Sequence, residues 1–214
     1  MGQQTLKTVL HVGCGPKQNR LPREYSAHRE FRLDLDPGVD PDVVSSIVAM
    51  PMVETGSVDC VFASHVLEHL YHHEAAMALA EFLRVLAPGG TADIRVPDLC
   101  AIGGRIGLDQ LGDALYQNPA FGTVTPLDML YGSRREIAAG NLFMAHKTGF
   151  TQSVLKRALA AAGFARVEFD TKTQMFELRA LATKRSDSIF GVGGAAEGLA
   201  NAAEVKEVNA VGSI

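Results

Sequence analysis

The sequence predicts a doubly wound α/β fold with a seven-stranded, mostly parallel sheet whose final strand is antiparallel. Three observations predict it. Strand-like runs alternate with helical patterns over residues 8–183, which is typical of a parallel sheet covered by helices. A glycine-containing turn follows the first strand directly. The last two strand-like runs are separated only by a short turn at residues 170–173, as in an antiparallel hairpin.

Seven apolar or β-branched runs are the predicted strands. They cover residues 8–12, 31–35, 43–48, 58–63, 91–96, 164–169 and 174–183. A helix is predicted near residues 72–86, because its apolar residues recur at helical spacing up to the breaker sequence Ala87-Pro88-Gly89-Gly90. A second helix is predicted to begin after Thr151, whose side chain can cap it, and to end at Gly163.

The chain is expected to form one domain over residues 1–184, followed by a flexible Gly/Ala-rich tail at residues 185–214. Residues 99–149 make an unusually long connection for a compact α/β domain. Such an insertion lies near the carboxyl ends of the strands, so we expect it to recognise the substrate.

Composition excludes several classes of protein. Hydrophobic residues make up 47% and charged residues 21% of the chain, as in an ordinary globular protein. A net charge of −4 without a basic run argues against nucleic-acid binding. No apolar stretch approaches the length of a membrane span, and no secretion signal precedes the first strand. Three cysteines without a CxxC pair indicate no disulfide framework, so we expect a cytoplasmic protein.

The segment His11-Val12-Gly13-Cys14-Gly15-Pro16 is the most informative motif. Gly13 and Gly15 allow a ligand to approach the backbone closely, and Asp34, at the end of the next strand, is placed to accept hydrogen bonds from ribose hydroxyls. Gln18 stands where the dinucleotide fingerprint has its third glycine. The motif therefore favours a nucleoside ligand over a pyrophosphate.

A second block is more specific than the glycine turn. Residues 57–70, which end in His65-Val66-Leu67-Glu68-His69-Leu70, and residues 82–90 follow the turn in order and spacing. Together these segments resemble class I S-adenosylmethionine-dependent methyltransferases of the small-molecule type. The resemblance spans residues 8–183 and implies a Rossmann-like fold, S-adenosyl-L-methionine as cofactor, and O- or N-methylation of a small acceptor such as a saccharide or secondary metabolite. Homo-oligomerisation is left open.

The resemblance also implies cofactor contacts, residue by residue. Asp34 would hold the ribose hydroxyls and Leu35 would lie against the adenine, whereas Asp36 would sit just outside the pocket. The family usually carries an acid at the end of the third strand, but this chain has serine, so Ser46 would bind the adenine amino group without a charge, or a backbone carbonyl would replace it. The full expected set is Val12, Gly13, Cys14, Gly15, Asp34, Leu35, Ser46, Ile47, Ser64 and His65.

A hydroxyl or amine acceptor must lose a proton, and a histidine is a suitable proton acceptor. The candidates are His65, after a central strand, and His146, in the loop before the last helix. Each has an alternative role: His65 could bind the cofactor's carboxylate, and His146 could order its loop. Cys14 is a weak candidate nucleophile, because it lies at a turn near an expected helix start.

Two other functions compete with methyl transfer. His65, Glu68 and His69 match the H-x-x-E-H pattern of inverted zinc metalloproteases, in which both histidines share one helical face. His65 follows a strand directly, so a zinc hydrolase is the weaker hypothesis and no metal is expected. The other alternative is a regulatory protein that binds the cofactor without turning it over.

Overall fold

The computed structural model describes residues 6–119, 122–170 and 176–186. Its main sheet has seven strands in the order β3-β2-β1-β4-β5-β9-β8. Their bounds are β1 Thr8–Val12, β2 Arg29–Asp34, β3 Val43–Val44, β4 Val58–Ser64, β5 Leu86–Pro97, β8 Arg166–Asp170 and β9 Glu177–Thr183. A separate hairpin contains β6 Tyr116–Asn118 and β7 Gly122–Val124.

The described α-helices follow this chain order: α1 His72–Val85, α2 Leu99–Ile106, α3 Pro126–Tyr131, α4 Arg134–Ala138 and α5 Gln152–Ala162. Among the described residues, no helix is long and apolar enough to cross a membrane. The side chain of Thr151 caps α5 by accepting a hydrogen bond from the Val154 amide, and Gly163 ends the helix in the left-handed conformation. Both predicted helices are therefore present.

The topology confirms the predicted sheet. Strands β3, β2, β1, β4 and β5 are paired in parallel, and β9 runs antiparallel to both β5 and β8. Two strands differ most in length from the prediction. The third is confined to Val43–Val44, and the fifth begins at Leu86, where the chain leaves α1 without a connecting loop. The predicted turn at residues 170–173 lies mostly outside the described residues, as does most of the predicted tail.

The two faces of the sheet are covered differently. Helices α1 and α5 contact each other, and their apolar residues join the main core beneath one face. The opposite face carries a buried charge, Asp93, which accepts hydrogen bonds from Tyr25 at 2.9 Å and from the Arg179 guanidinium at 2.8 and 3.0 Å. The segment after β1 covers this face with a 3-10 turn at Arg23–Tyr25 rather than an α-helix.

The predicted insertion at residues 99–149 contains α2, the β6–β7 hairpin, α3 and α4. It has a small core of its own, centred on Ile102, Val124 and Met129. Its two ends are tied to each other by a parallel bridge between Asp98 and Phe150 and by a hydrogen bond from the Leu99 amide to the Phe150 carbonyl at 3.0 Å. The insertion is thereby anchored next to the carboxyl end of β5.

Candidate functional site

A cavity of about 1270 Å³ lies at the carboxyl ends of β1, β2 and β4 and extends along the insertion. One part of its lining comes from the loops after these strands. We call this part the glycine side: Gly13, Gly15, Asp34, Leu35, Ser46 and Ile47. The other part comes from the turn after β4 and from the insertion. We call it the histidine side: Glu68, His69, Tyr116, Met129 and His146.

The turn after β1 requires glycine at two positions. Gly13 and Gly15 have φ angles of +57° and +59°, which residues with a Cβ rarely adopt. A Cβ on Gly13 would lie 2.3 Å from Cγ2 of Val66, and one on Gly15 would lie 2.5 Å from the Asn19 side-chain nitrogen. The turn is therefore packed tightly against the side chains of Val66 and Asn19, and its backbone also lines the cavity.

Asp34 is held at the end of β2 by two backbone amides. Its Oδ2 atom accepts a hydrogen bond from the Gly15 amide at 2.8 Å, and its Oδ1 atom accepts one from the Asp36 amide at 2.9 Å. A carboxylate can accept about four hydrogen bonds, so it retains capacity to accept from a ligand. The carboxylate is thus oriented before any ligand arrives.

Sequence reasoning missed Arg32, which supports the same turn from behind. Its guanidinium donates to the carbonyl oxygens of Cys14, Gly15 and Pro16 at 3.2, 2.8 and 3.1 Å, and pairs with the Glu30 carboxylate at 2.8 Å. The Arg32 side chain is only 11% exposed. A charged residue within a strand, two positions before Asp34, was the signal that could have identified it.

Two predicted contacts are wrong as side-chain contacts. Val12, the last residue of β1, and Cys14, in the turn that follows, are fully buried and do not line the cavity. Burial also raises the pKa of the Cys14 thiol to about 11, which argues against a nucleophile. Asp36 was expected just outside the pocket, but it lines the cavity. Its side chain also accepts a hydrogen bond from the Gly38 amide at 2.7 Å.

The other residues predicted to contact the nucleoside line the cavity. Leu35 is 52% exposed, and its side chain can cover an apolar ring. Ser46 and Ile47 line the same part of the cavity, with the Ser46 hydroxyl 3.4 Å from the Val48 amide. Ser64 lines the cavity at the end of β4. The described segment after β3, residues 45–48, has no carboxylate that could bind the adenine amino group in place of Ser46.

His65 lies between two carboxylates. Its Nδ1 atom is 3.1 Å from Oε1 of Glu68, and its Nε2 atom is 3.0 Å from Oε2 of Glu177. Burial of the imidazole lowers its pKa, but the hydrogen bonds to Glu177 and Glu68 outweigh this and raise the pKa to about 10. The imidazole is therefore a cation with both N–H groups engaged. In this arrangement it cannot accept a proton, and the expectation of a general base at His65 is corrected.

His146, in contrast to the cationic His65, has a neutral imidazole. Its Nδ1–H group donates to the Met129 carbonyl at 2.9 Å, so the lone pair is on Nε2. Burial lowers the pKa of the imidazole, which keeps the ring neutral. His69 is oriented in the same way, because its Nδ1–H group donates to the Ala145 carbonyl at 3.2 Å. Of the two histidines predicted to act as bases, His146 alone has a lone pair available.

The H-x-x-E-H pattern does not form the expected helical motif. Residues Leu67–His69 form a 3-10 turn, and His65 stands before it with a φ of +54°. His65 and His69 point to different partners, Glu177 and Ala145. The inverted-metalloprotease geometry, which needs both histidines on one helical face, is therefore absent from this segment.

The family model described as "Methyltransferase domain" matches residues 10–93, which contain the last three residues of β1, the strands β2 to β4, helix α1 and the start of β5. This region includes the whole glycine side of the cavity. No curated protein sequence matches the chain.

Solved methyltransferase structures share the fold. One is the Burkholderia thailandensis 1,6-didemethyltoxoflavin-N1-methyltransferase with bound 1,6-didemethyltoxoflavin and S-adenosylhomocysteine; it is 18% identical, with a TM-score of 0.54 over 85% of this chain and 72% of that one. An Archaeoglobus fulgidus methyltransferase is 14% identical, with a TM-score of 0.55 over 84% and 86%. A Methanosarcina mazei methyltransferase is 15% identical, with a TM-score of 0.56 over 86% and 95%.

Proposed function

We propose that this chain is a class I S-adenosylmethionine-dependent methyltransferase and that it transfers the methyl group of its cofactor to an oxygen or nitrogen atom of a small, polar acceptor. Cofactor and acceptor would occupy one cavity, the cofactor on the glycine side and the acceptor on the histidine side. The insertion at residues 99–149 would then select the acceptor.

The residues of the glycine side fit the cofactor. The cavity-facing backbone at Gly13 and Gly15 gives it room, and the oriented carboxylate of Asp34 can accept hydrogen bonds from the ribose hydroxyls. Leu35 and Ile47 supply apolar surface for the adenine. When bound, S-adenosylmethionine supplies a methyl group on a sulfonium, which is already an activated leaving group.

The size of the cavity is the observation that carries the proposal. Pockets for a single drug-sized ligand measure roughly 300–1,000 Å³. The volume of about 1270 Å³ exceeds this range, and the lining continues from the glycine side to the insertion. The cavity therefore has room for a small acceptor beside the cofactor.

The lining of the acceptor end supports a polar small molecule. It offers amide, hydroxyl and charged groups next to a few apolar ones: Asn118, Thr123, Ser133, Arg134, Asn141 and Phe143. Such groups can hydrogen-bond a saccharide or a hydroxylated secondary metabolite. The protein's task is to align the acceptor with the methyl group and to exclude water, and the lone pair of His146 is available for the acceptor's proton.

A reducing, cytoplasmic location fits this function. The three cysteines are free, and two of them, Cys14 and Cys60, are buried inside the fold. With a net charge of −4, the chain has no basic run for nucleic acid. We propose a small molecule, rather than nucleic acid or a membrane, as the partner.

Titration with S-adenosylhomocysteine tests the cofactor. Asp34→Ala removes the carboxylate that accepts from Gly15 and from the ribose, so we expect affinity to fall about 10- to 100-fold, since a hydrogen bond to a charged group contributes roughly 1.5–3 kcal/mol. Asp113→Ala, an exposed acid outside the cavity lining, is the matched control and should bind normally.

A screen of hydroxylated and amine acceptors, read by release of S-adenosylhomocysteine, tests the reaction. Turnover with a small molecule supports the proposal. Tight cofactor binding without turnover across the screen would favour the regulatory alternative, and an absence of cofactor binding would overturn the function altogether.

A further inference from the structure

We propose that Glu68, His69 and His146 bind a zinc ion at the acceptor end of the cavity. Each of these three residues offers one ligand atom, and the three atoms lie within 4.8 Å of one another. Two of them come from the turn after β4 and the third from the end of the insertion, 77 positions later in the chain. The fold, not local sequence, brings this group together.

Glu68 carries the strongest sign of a missing ligand. Its side chain is 1% exposed, and its Oε1 atom is 3.1 Å from Nδ1 of His65. Its Oε2 atom is buried and has no hydrogen-bond partner among the described residues. A buried polar atom without a partner is costly, and a carboxylate oxygen more so. A cation beside Oε2 would remove that cost.

The two histidines are oriented as metal ligands usually are. Each uses Nδ1–H to donate to a backbone carbonyl, His69 to Ala145 and His146 to Met129. This outer hydrogen bond fixes the tautomer and leaves Nε2 as the donor atom for a metal. The two rings lie edge to face with centroids 4.9 Å apart, so the two imidazoles are direct neighbours in the lining of the cavity.

The donor set selects the type of ion. Two imidazoles and one carboxylate are a common zinc set, and three protein ligands leave a fourth position open. With metal–ligand bonds of about 2.1 Å, tetrahedral donors lie roughly 3.4 Å apart. The separations of up to 4.8 Å require the three side chains to close by about an ångström. His65 is not a ligand, because both its nitrogens face Glu68 and Glu177.

The open fourth coordination position suggests how the ion would take part in methyl transfer. This part of the inference rests on the proposed function. All three ligands line the cavity that also contains Gly13 and Asp34. A hydroxyl oxygen of the acceptor would take the fourth position, where the ion lowers the hydroxyl pKa. The hydroxyl proton leaves to water, the oxygen forms a bond to the methyl carbon, and the carbon–sulfur bond breaks to give S-adenosylhomocysteine. The lone pair of His146, available for a proton in the metal-free protein, then binds zinc.

Metal titration of the chelator-treated full chain tests the site. Co²⁺ is the probe, because its visible absorption reports coordination number, and Zn²⁺ competition gives the affinity. We expect one ion per chain with a tetrahedral-type spectrum. His146→Gln and His69→Gln should each weaken binding at least about 100-fold, since even partners outside the first coordination sphere cost 10- to 100-fold. His72→Gln, an exposed histidine, is the control.

Each outcome decides a separate point. Loss of cobalt binding in the His69 and His146 variants, with S-adenosylhomocysteine affinity kept, supports the zinc site and shows that the variants are folded. Equal metal binding by wild type and variants, or no stoichiometric binding by wild type, would overturn it. Metal binding without any cofactor binding would retain the site but refute the methyltransferase function beside it.

Discussion

The two sides of the cavity differ in how their carboxylates, Asp34 and Glu68, are hydrogen-bonded. On the glycine side, the Gly15 amide is bonded to Asp34, and three neighbouring carbonyls are bonded to Arg32. On the histidine side, one oxygen of Glu68 is buried without a hydrogen-bond partner among the residues that the structure describes. Both oxygens of Asp34 therefore have partners before a ligand binds, whereas one oxygen of Glu68 has none until an ion or polar group reaches it.

This difference separates two kinds of binding site. A site whose groups already hold one another in place loses little conformational entropy when the ligand binds. A site with an unsatisfied buried charge is stabilised by whatever ion or polar group arrives. The cofactor would bind to the first kind of site, on the glycine side. The acceptor would bind to the second kind, on the histidine side.

The largest expected effect concerns Gly13. Gly13→Ala places a Cβ 2.3 Å from Cγ2 of Val66 at a φ of +57°. We expect S-adenosylhomocysteine affinity to fall at least about 100-fold, or roughly 2.7 kcal/mol. Isothermal titration calorimetry measures this, and cobalt titration of the same variant shows whether the displacement of Val66 extends to Glu68, two residues later.

Two companion variants separate steric from general effects. The added Cβ of Gly112→Ala meets nothing within 4 Å, so this variant should bind like wild type. Val66→Ala combined with Gly13→Ala removes the clashing methyl groups and should recover part of the affinity. Near-native affinity of Gly13→Ala alone would show that the glycine side is not rigid.

His65 lies at the boundary of the two sides, and its removal should have the next largest effect. His65→Gln takes away the cation between Glu68 and Glu177. Breaking a buried ion pair costs about 3–5 kcal/mol, and exposure of the imidazole reduces this, so we expect the free energy of unfolding to fall by about 2 kcal/mol. Urea denaturation at pH 7 measures the loss, with exposed His72→Gln as control. Unchanged stability would refute the ion pair and restore His65 as a candidate base.

The smallest expected effect is a pH dependence at His11, beneath the glycine side. Burial lowers the pKa of this imidazole below 6.5, partly offset by its 2.7 Å contact with Glu30. The unfolded chain then binds a proton more readily, so stability is fully present above pH 6.5 and is lost as the pH falls toward the folded-state pKa.

We expect wild type to lose up to about 1 kcal/mol more than His11→Gln between pH 7 and pH 5, given roughly 1.4 kcal/mol per pKa unit. Thermal and urea unfolding of both proteins at the two pH values measure the difference. Parallel pH curves would mean that His11 does not titrate differently in the folded protein.

Much of the glycine side could be predicted from the sequence. Gly13, Gly15 and Asp34 lie at the ends of strands that local patterns identify, and a tightly packed backbone turn with positive φ favours glycine. Side-chain direction was less predictable. Val12 and Cys14 belong to the same motif but are buried in the core, because their burial depends on how the turn packs against the rest of the fold.

By itself, the sequence determined the order of strands and helices, the antiparallel last strand and the position of the glycine turn, since each depends on local periodicity and on residues with special backbone freedom. Only the tertiary structure decided that His65 lies between two carboxylates and that His146 meets Glu68 and His69. The physical reason is distance along the chain: no local pattern states which side chains, 77 or 112 positions apart, the folded sheet and its insertion bring within a few ångströms.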